Sequence, residues 1–258
     1  MSTVAGVRSV DLNADLGEGY GAWSMGDDDA LLDIVTSANV ACGFHAGDPK
    51  IMRRTCDAAA ARGVTIGAHV SYRDLEGFGR RDIEVSPQQL ADELLYQIGA
   101  LDAISRVAGS SLRYVKAHGA LYNRCAHDEH HARAVVQALL DHRGNLALLA
   151  APGSVLVAVA RAEGIRCVTE GFVDRAYRAD GTLVPRGEPR AVHESTEACV
   201  VQALSIARDG IVSHRDGGTI PLAADSLCVH GDTPHAVATA WMVRESLLAA
   251  GIDLRPFA

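Results

Sequence analysis

This 258-residue chain has no CxxC pair, no basic cluster and no apolar run of the roughly 20 residues that a membrane span needs. Cys42, Cys56, Cys125, Cys167, Cys199 and Cys228 are widely spaced, which argues for reduced structural thiols over a disulfide framework. Cys42, Cys167 and Cys228 lie in or at the end of strand-like runs, where a thiol packs as a small hydrophobe. Cys42, bordering the expected site, is the candidate exception. A formal net charge of −8 and a pI near 5.7 argue against a polyanion or an anionic membrane surface as partner. Met1–Ser9 lacks the apolar centre of a secretory signal, so a cytoplasmic location is expected. Nucleotide signatures are missing as well. There is no GxxxxGK[ST] loop or GxSxG elbow, and glycines 17, 19 and 21 do not make a GxGxxG turn. A phosphate-loop ATPase, a Rossmann dehydrogenase and a serine hydrolase are therefore poorly supported.

What is present is a repeated pattern. Short apolar runs repeatedly end in polar residues before a helix-like stretch begins. Val10–Ala14 delivers Asp11, Asn13, Asp15 and Glu18, and Ala38–Cys42 leads to His45 and Asp48. Val64–Ala68 stops at His69, and Tyr114–Ala117 carries Lys116 and His118. Cys167–Thr169 leads to Glu170, Asp174 and Arg175, and Leu227–Val229 to His230 and Asp232. Helix punctuation alternates with these runs, at Asp48-Pro49 to Gly63, Ser86-Pro87-Gln88-Gln89 to Gly109, and Asp128 to Gly144. It continues at Ser154 to Gly164, Ser195 to Gly210, and Thr233-Pro234 to Gly251.

Such alternation predicts a parallel sheet covered by helices, in one α/β domain over residues 1–258. Polar residues at nearly every strand end favour a TIM-like (β/α)7 barrel over an open sheet, whose site would sit at one switch point. Two connections, Gly17–Asp27 and Gly171–His193, are longer than packing requires and are expected to cover the pocket.

Asp11, Asn13 and Asp15 share one strand face, where a buried carboxylate must be paired, bound to a cation or used as a base. Asp11 and Asn13 serve equally well as hydrogen-bonding ties, whereas Asp15 reads as functional. His45, His69, His118 and His230 come from different strand ends, and four convergent imidazoles outweigh the packing role a lone histidine would have. His127, His130, His131 and His142 fall on or beside a helix expected to face solvent. Lys116 could hold an anion or form an ion pair with Asp15 or Glu170. Asp48 and Asp232 sit where helix caps belong and could still turn towards the site.

The blocks DLNADLGEGYGAW at 11–23, NVACGFHAGDP at 39–49, GAHVSYRD at 67–74, KAHGALYN at 116–123, EGFVDRAYRADGTLVPR at 170–186 and HGD at 230–232 resemble the LamB/YcsF family, also called the A subunit of 5-oxoprolinase, over essentially the whole chain. The resemblance implies an irregular barrel of the glycoside hydrolase/deacetylase type. It further implies one component of a three-part enzyme, with companion B and C subunits, that opens 5-oxoproline to glutamate using ATP. Magnesium would accompany ATP, which another surface or a subunit junction would hold. On that basis Asp15 is expected as general base, with His45, His69, His118 and Lys116 stabilising charge on the lactam carbonyl. Glu170, Asp174, Arg175 and Arg186 would border substrate or phosphate.

A more distant resemblance of NADL at 13–16 is to the NADD of YdjC-type sugar deacetylases. Leu16 stands where their metal-binding aspartate belongs, so the resemblance permits a metal on Asp15, His69 and His118 without favouring one. The alternative functions are a metal-dependent deacetylase of a small amidated sugar and a non-catalytic substrate-binding subunit.

Overall fold

The computed structural model describes residues 8–232 and 235–258. Thr233-Pro234, the expected opening of the last helix, and most of Met1–Ser9 lie outside them. Seven parallel strands close a barrel: β1 (Ser9–Leu16), β2 (Ser37–Ala41), β3 (Thr65–Val70), β4 (Leu112–Ala117), β5 (Ala147–Ala150), β6 (Cys167–Phe172) and β9 (Ser226–Val229). Closure comes from β9, which pairs with β6 on one side and with Asp11–Ala14 of β1 on the other. A short hairpin of β7 (Ile211–Ser213) and β8 (Thr219–Pro221) lies outside, and β10 (Asp253–Leu254) extends the edge of β1 at Ser9 and Val10.

Helices α1 (Asp28–Leu32), α2 (Pro49–Arg62), α3 (Pro87–Val107), α4 (Gly119–Cys125), α5 (Glu129–His142), α6 (Val155–Ala162), α7 (Thr196–Leu204) and α8 (Ala236–Ala249) cover the barrel. The sequence caps act as read: Asp48, Ser86, Asp128, Ser154 and Ser195 each accept a backbone N–H from the first turn. Two stop signals differ. Arg143, not Gly144, takes the left-handed position after α5, and α7 continues as a π-helical turn over Ser205–Asp209 before Gly210.

Alternation along the strands divides the interior. On β1, Leu12, Ala14 and Leu16 join the apolar layer beneath the helices, while Asp11, Asn13 and Asp15 point into the barrel. The barrel interior is consequently polar and stacked in layers. Asp11 accepts hydrogen bonds from Thr36, Ser37 and Ser226; above it, Asn13 binds Ser226 and Asn39, and Tyr114 donates to Asn39 at 2.6 Å. Gly67 makes room for that tyrosine, since a Cβ there would run into the Tyr114 ring. Phe257 closes the bottom edge-on against Tyr114.

The thiols are free and all but the half-buried Cys167 are buried. Cys42 is no exception to the packing role: burial pushes its pKa up and its Sγ faces Val40 O. Cys228 is the thiol nearest the site, 3.3 Å from Lys116 Nζ.

Candidate active site

The carboxyl ends of the strands surround a cavity of ≈ 730 Å³, within the range of small-molecule sites. Asp15, Glu18, His69, Lys116, His118, Arg175, Arg186, His230 and Asp232 border it, so nine of the fourteen predicted site residues meet there. Asp11 and Asn13 do not; they lie lower in the barrel and act as ties between strands. His45 sits behind His118, Glu170 beneath Lys116, and Asp174 behind His230, none bordering the cavity. Asp48 is spent on the N–H groups of Gly21, Lys50 and Ile51 and does not turn towards it.

Of the two long connections, Gly171–His193 covers the cavity with Leu183, Pro185 and Arg186 and has no helix. From Gly17–Asp27 only Glu18 enters; Trp23 is 63% exposed and the loop rests on the start of α2. A third connection does what was expected of that loop. Between β3 and α3, Phe78 and Gly79 form a strap over the histidines, with both residues in the left-handed region at φ 55° and 65°. Gly79 is required there, because a Cβ would lie 2.8 Å from both His118 Cδ2 and His45 Cβ. Arg80 follows and reaches Asp232 at 2.6 Å. The paired glycines of Gly77-Phe78-Gly79 were the available signal for this strap.

Lys116 is 2% exposed, with Nζ 3.1 Å from Asp15 Oδ1 and 2.8 Å from Glu170 Oε1. Burial alone would lower its pKa, but the Asp15 carboxylate and Glu170 raise it well above the ordinary lysine value. Asp15 shows the converse. Burial opposes its charge, yet His69 and Lys116 hold it well below the usual carboxylate range. Asn39 Nδ2 donates to it at 2.8 Å and His69 Nε2 lies 3.2 Å away. A carboxylate so held is a weak proton acceptor, which counts against the expected general-base role and for that of a fixed anion.

Glu18 has the opposite bias: burial first, then the Asp15 charge, pushes its carboxyl up to about 8. Burial also pushes His45 down to about 3, and burial with the neighbouring His45 and His69 holds His118 well below its usual range. The three rings are packed together, His45 parallel to His118 and His69 edge-on to both.

On the far wall, the His230 ring stacks on Phe172 with centroids 5.4 Å apart, and Asp174 lies 2.8 Å from its Nδ1. Asp232 faces Arg186 at 3.2 Å besides Arg80. Arg175 donates to the carbonyls of Val184 and Ala191, tying the covering loop down. The helix histidines divide: His127 and His130 are exposed, but His131 is buried against Tyr72 and Asp128, and His142 is half-buried beside Asp102.

The sequence model of the LamB/YcsF family matches residues 10–258. A relative from Streptomyces coelicolor, described as the A subunit of 5-oxoprolinase, is 56% identical over 249 residues, covering 96% of this chain and 100% of the relative. The crystal structure of a lactam utilization protein from Thermus thermophilus superposes with a TM-score of 0.91 at 42% identity, covering 96% of this chain and 100% of the other. The catalytic domain of a peptidoglycan N-acetylglucosamine deacetylase from Eubacterium rectale shares the fold alone, with a TM-score of 0.51 at 14% identity over 99% of this chain and 91% of that one. A family match spanning nearly every described strand and helix makes the chain a member of the LamB/YcsF family.

Proposed function

We infer that this chain is the lactam-holding component of an ATP-dependent 5-oxoprolinase, acting with companion B and C subunits on 5-oxo-L-proline to give L-glutamate. The observation that carries the reading is the convergence of Lys116, Asp15, His69 and His118 on one cavity, in a chain whose full-length relatives are described as the A subunit of 5-oxoprolinase. A five-membered lactam is a stable amide. Phosphorylation of its carbonyl oxygen by ATP, with magnesium and release of ADP, makes that carbon open to water; the ring C–N bond then breaks to free the amine, and phosphate leaves to give the carboxylate.

The residues divide the work by position. Arg186 and Arg80 at the rim suit the substrate carboxylate or a phosphate, since guanidinium matches both as a bidentate donor. Lys116 lies deeper and stabilises charge on the reacting carbonyl, with His69 and His118 beside it on the cavity wall. Asp15, held well below the usual carboxylate range by His69 and Lys116, keeps those two side chains oriented. The cavity exceeds what a lactam of this size fills, leaving room for a phosphate supplied from a subunit junction.

The test is reconstitution with both companion subunits, measuring glutamate formed from 5-oxoproline with and without ATP, for the native chain and for Asp15→Asn. ATP-dependent turnover lost in the variant supports the reading; no turnover in an assembled complex refutes it. The clustering of Glu18 with three histidines favours a second reading, a metal-dependent deacetylase of a small amidated sugar, which the isolated chain would reveal by releasing acetate from N-acetyl sugars. A non-catalytic binding subunit would leave turnover of the Asp15→Asn complex at the native level.

A further inference from the structure

Four buried donor atoms meet at the edge of the cavity. Glu18 Oε1, His45 Nε2, His69 Nε2 and His118 Nδ1 come from the end of β1, the β2–α2 loop, β3 and the end of β4, and all lie within 4.8 Å of one another. Glu18 Oε1 is 3.4 Å from His45 Nε2 and 3.5 Å from His118 Nδ1, and His118 Nδ1 is 3.0 Å from His69 Nε2. A tetrahedral cation bonded to nitrogen and oxygen at about 2.0–2.2 Å has donor–donor edges of about 3.3–3.6 Å. Two of these three spacings match that edge and the third is a little shorter, so small side-chain shifts would close a coordination shell.

The hydrogen bonding points the same way. Phe78 O lies 2.9 Å from His118 Nε2 and accepts its N–H, which in the neutral ring leaves a lone pair on Nδ1. His69 Nε2 lies 3.2 Å from Asp15 Oδ2 and 3.0 Å from His118 Nδ1, so its N–H serves those acceptors until a cation replaces that proton, and Lys116 O, 3.4 Å from Nδ1, would then accept the Nδ1–H. Backbone carbonyls behind the rings are how metal-binding histidines are oriented. Glu18 Oε1 and both ring nitrogens of His45 are buried without a hydrogen-bond partner among the described residues, a costly state for polar atoms. A cation among these atoms would give each of them a partner.

We propose that Glu18, His45, His69 and His118 form a binding site for a divalent transition-metal cation of the zinc class. Three imidazoles and a carboxylate suit Zn²⁺ and Co²⁺ over the oxygen-seeking Mg²⁺ and Ca²⁺. The donor set differs from the Asp15, His69 and His118 trio implied by the deacetylase resemblance. Asp15 is already engaged by Lys116 and Asn39, and Glu18 and His45 take its place. Glu18, His69 and His118 border the cavity, so the ion has an entry path. The site stands whichever reaction the cavity hosts.

The test uses the full chain, stripped with a chelator and dialysed, then loaded with Zn²⁺ or Co²⁺. Stoichiometry is read by elemental analysis, coordination by the visible absorption of Co²⁺, and folding by circular dichroism. One equivalent of metal is expected, with affinity falling at least about tenfold in Glu18→Gln and in His45→Gln and unchanged in His142→Ala. Both variants are conservative; should one fail to fold, the other decides. Binding well below one equivalent, or one equivalent retained at native affinity in folded Glu18→Gln or His45→Gln, overturns the proposal.

Discussion

The imidazole rings of His45 and His118 lie parallel, 3.9 Å between centroids and 8° apart. Phe78 packs edge-on against both, and Gly79 crosses above them without a side chain. Gly79→Ala would insert a methyl group into this contact and place alanine at φ 65°. Overpacking and the left-handed backbone together are expected to cost about 2–4 kcal/mol, a fall in Tm of roughly 5–15 °C. Gly153→Ala, at φ 74° with open space around it, carries only the backbone cost of about 1 kcal/mol. Thermal melts of both variants check this, and equal losses would show that the strap has room to move.

Lys116 bridges two carboxylates in the barrel interior. Lys116→Met leaves Asp15 and Glu170 facing each other without a counter-charge and is expected to destabilise by about 3–5 kcal/mol. Adding Glu170→Gln removes one of the stranded charges and should recover more than about 1 kcal/mol, a coupling read from a double-mutant cycle in urea. Additive losses would mean that the two groups do not share one electrostatic site.

The barrel could be read from residues because its strands alternate so regularly: Asp11, Asn13 and Asp15 inward, Leu12, Ala14 and Leu16 outward. Caps at Asp48, Ser86 and Asp128 are local chemistry, and they stand where local rules put them. Height within the barrel was not legible. A period of two places Asp11 and Asp15 on one face, but only the pairing register with β2 and β9 sets Asp11 at the level of Ser226 and Asp15 at the mouth. Arg80 meets Asp232 across the chain because the strap is routed by its contacts with His45 and His118, which no local pattern encodes. His131 failed for a related reason: it sits at the margin of the apolar face set by Ala132, Val135 and Leu139, and Tyr72 from the β3–α3 connection covers it.

Asp11 gives the interior a pH dependence. Burial raises its carboxyl from 3.8 to about 6, against hydrogen bonds from Ser226, Ser37 and Thr36. Between those values the folded protein holds a proton that the unfolded chain has released. This contribution is therefore complete below about pH 4 and is lost as pH rises through about 6, in total about 3 kcal/mol. Asp11→Asn stays uncharged, so its stability relative to the native protein should rise by about 1.4 kcal/mol between pH 5 and pH 8. Urea melts at several pH values measure the difference, and one that stays constant would place the Asp11 carboxyl at its ordinary pKa.

At the rim, Arg186 and Arg80 share the Asp232 carboxylate, so removing one arginine leaves the acid paired with the other. Partly exposed pairs of this kind are worth about 1 kcal/mol or less, and Arg186→Ala should leave Tm nearly unchanged. Its effect belongs to binding. An arginine that grips the substrate carboxylate equally in the ground and transition states raises KM when lost, without changing kcat, and a tenfold rise corresponds to about 1.4 kcal/mol. Steady-state kinetics of the reconstituted complex on 5-oxoproline separate the two parameters. A fall in kcat at constant KM would instead put Arg186 at the reacting carbonyl or the transferred phosphate, and the deeper Lys116 would then lose its assigned place in charge stabilisation.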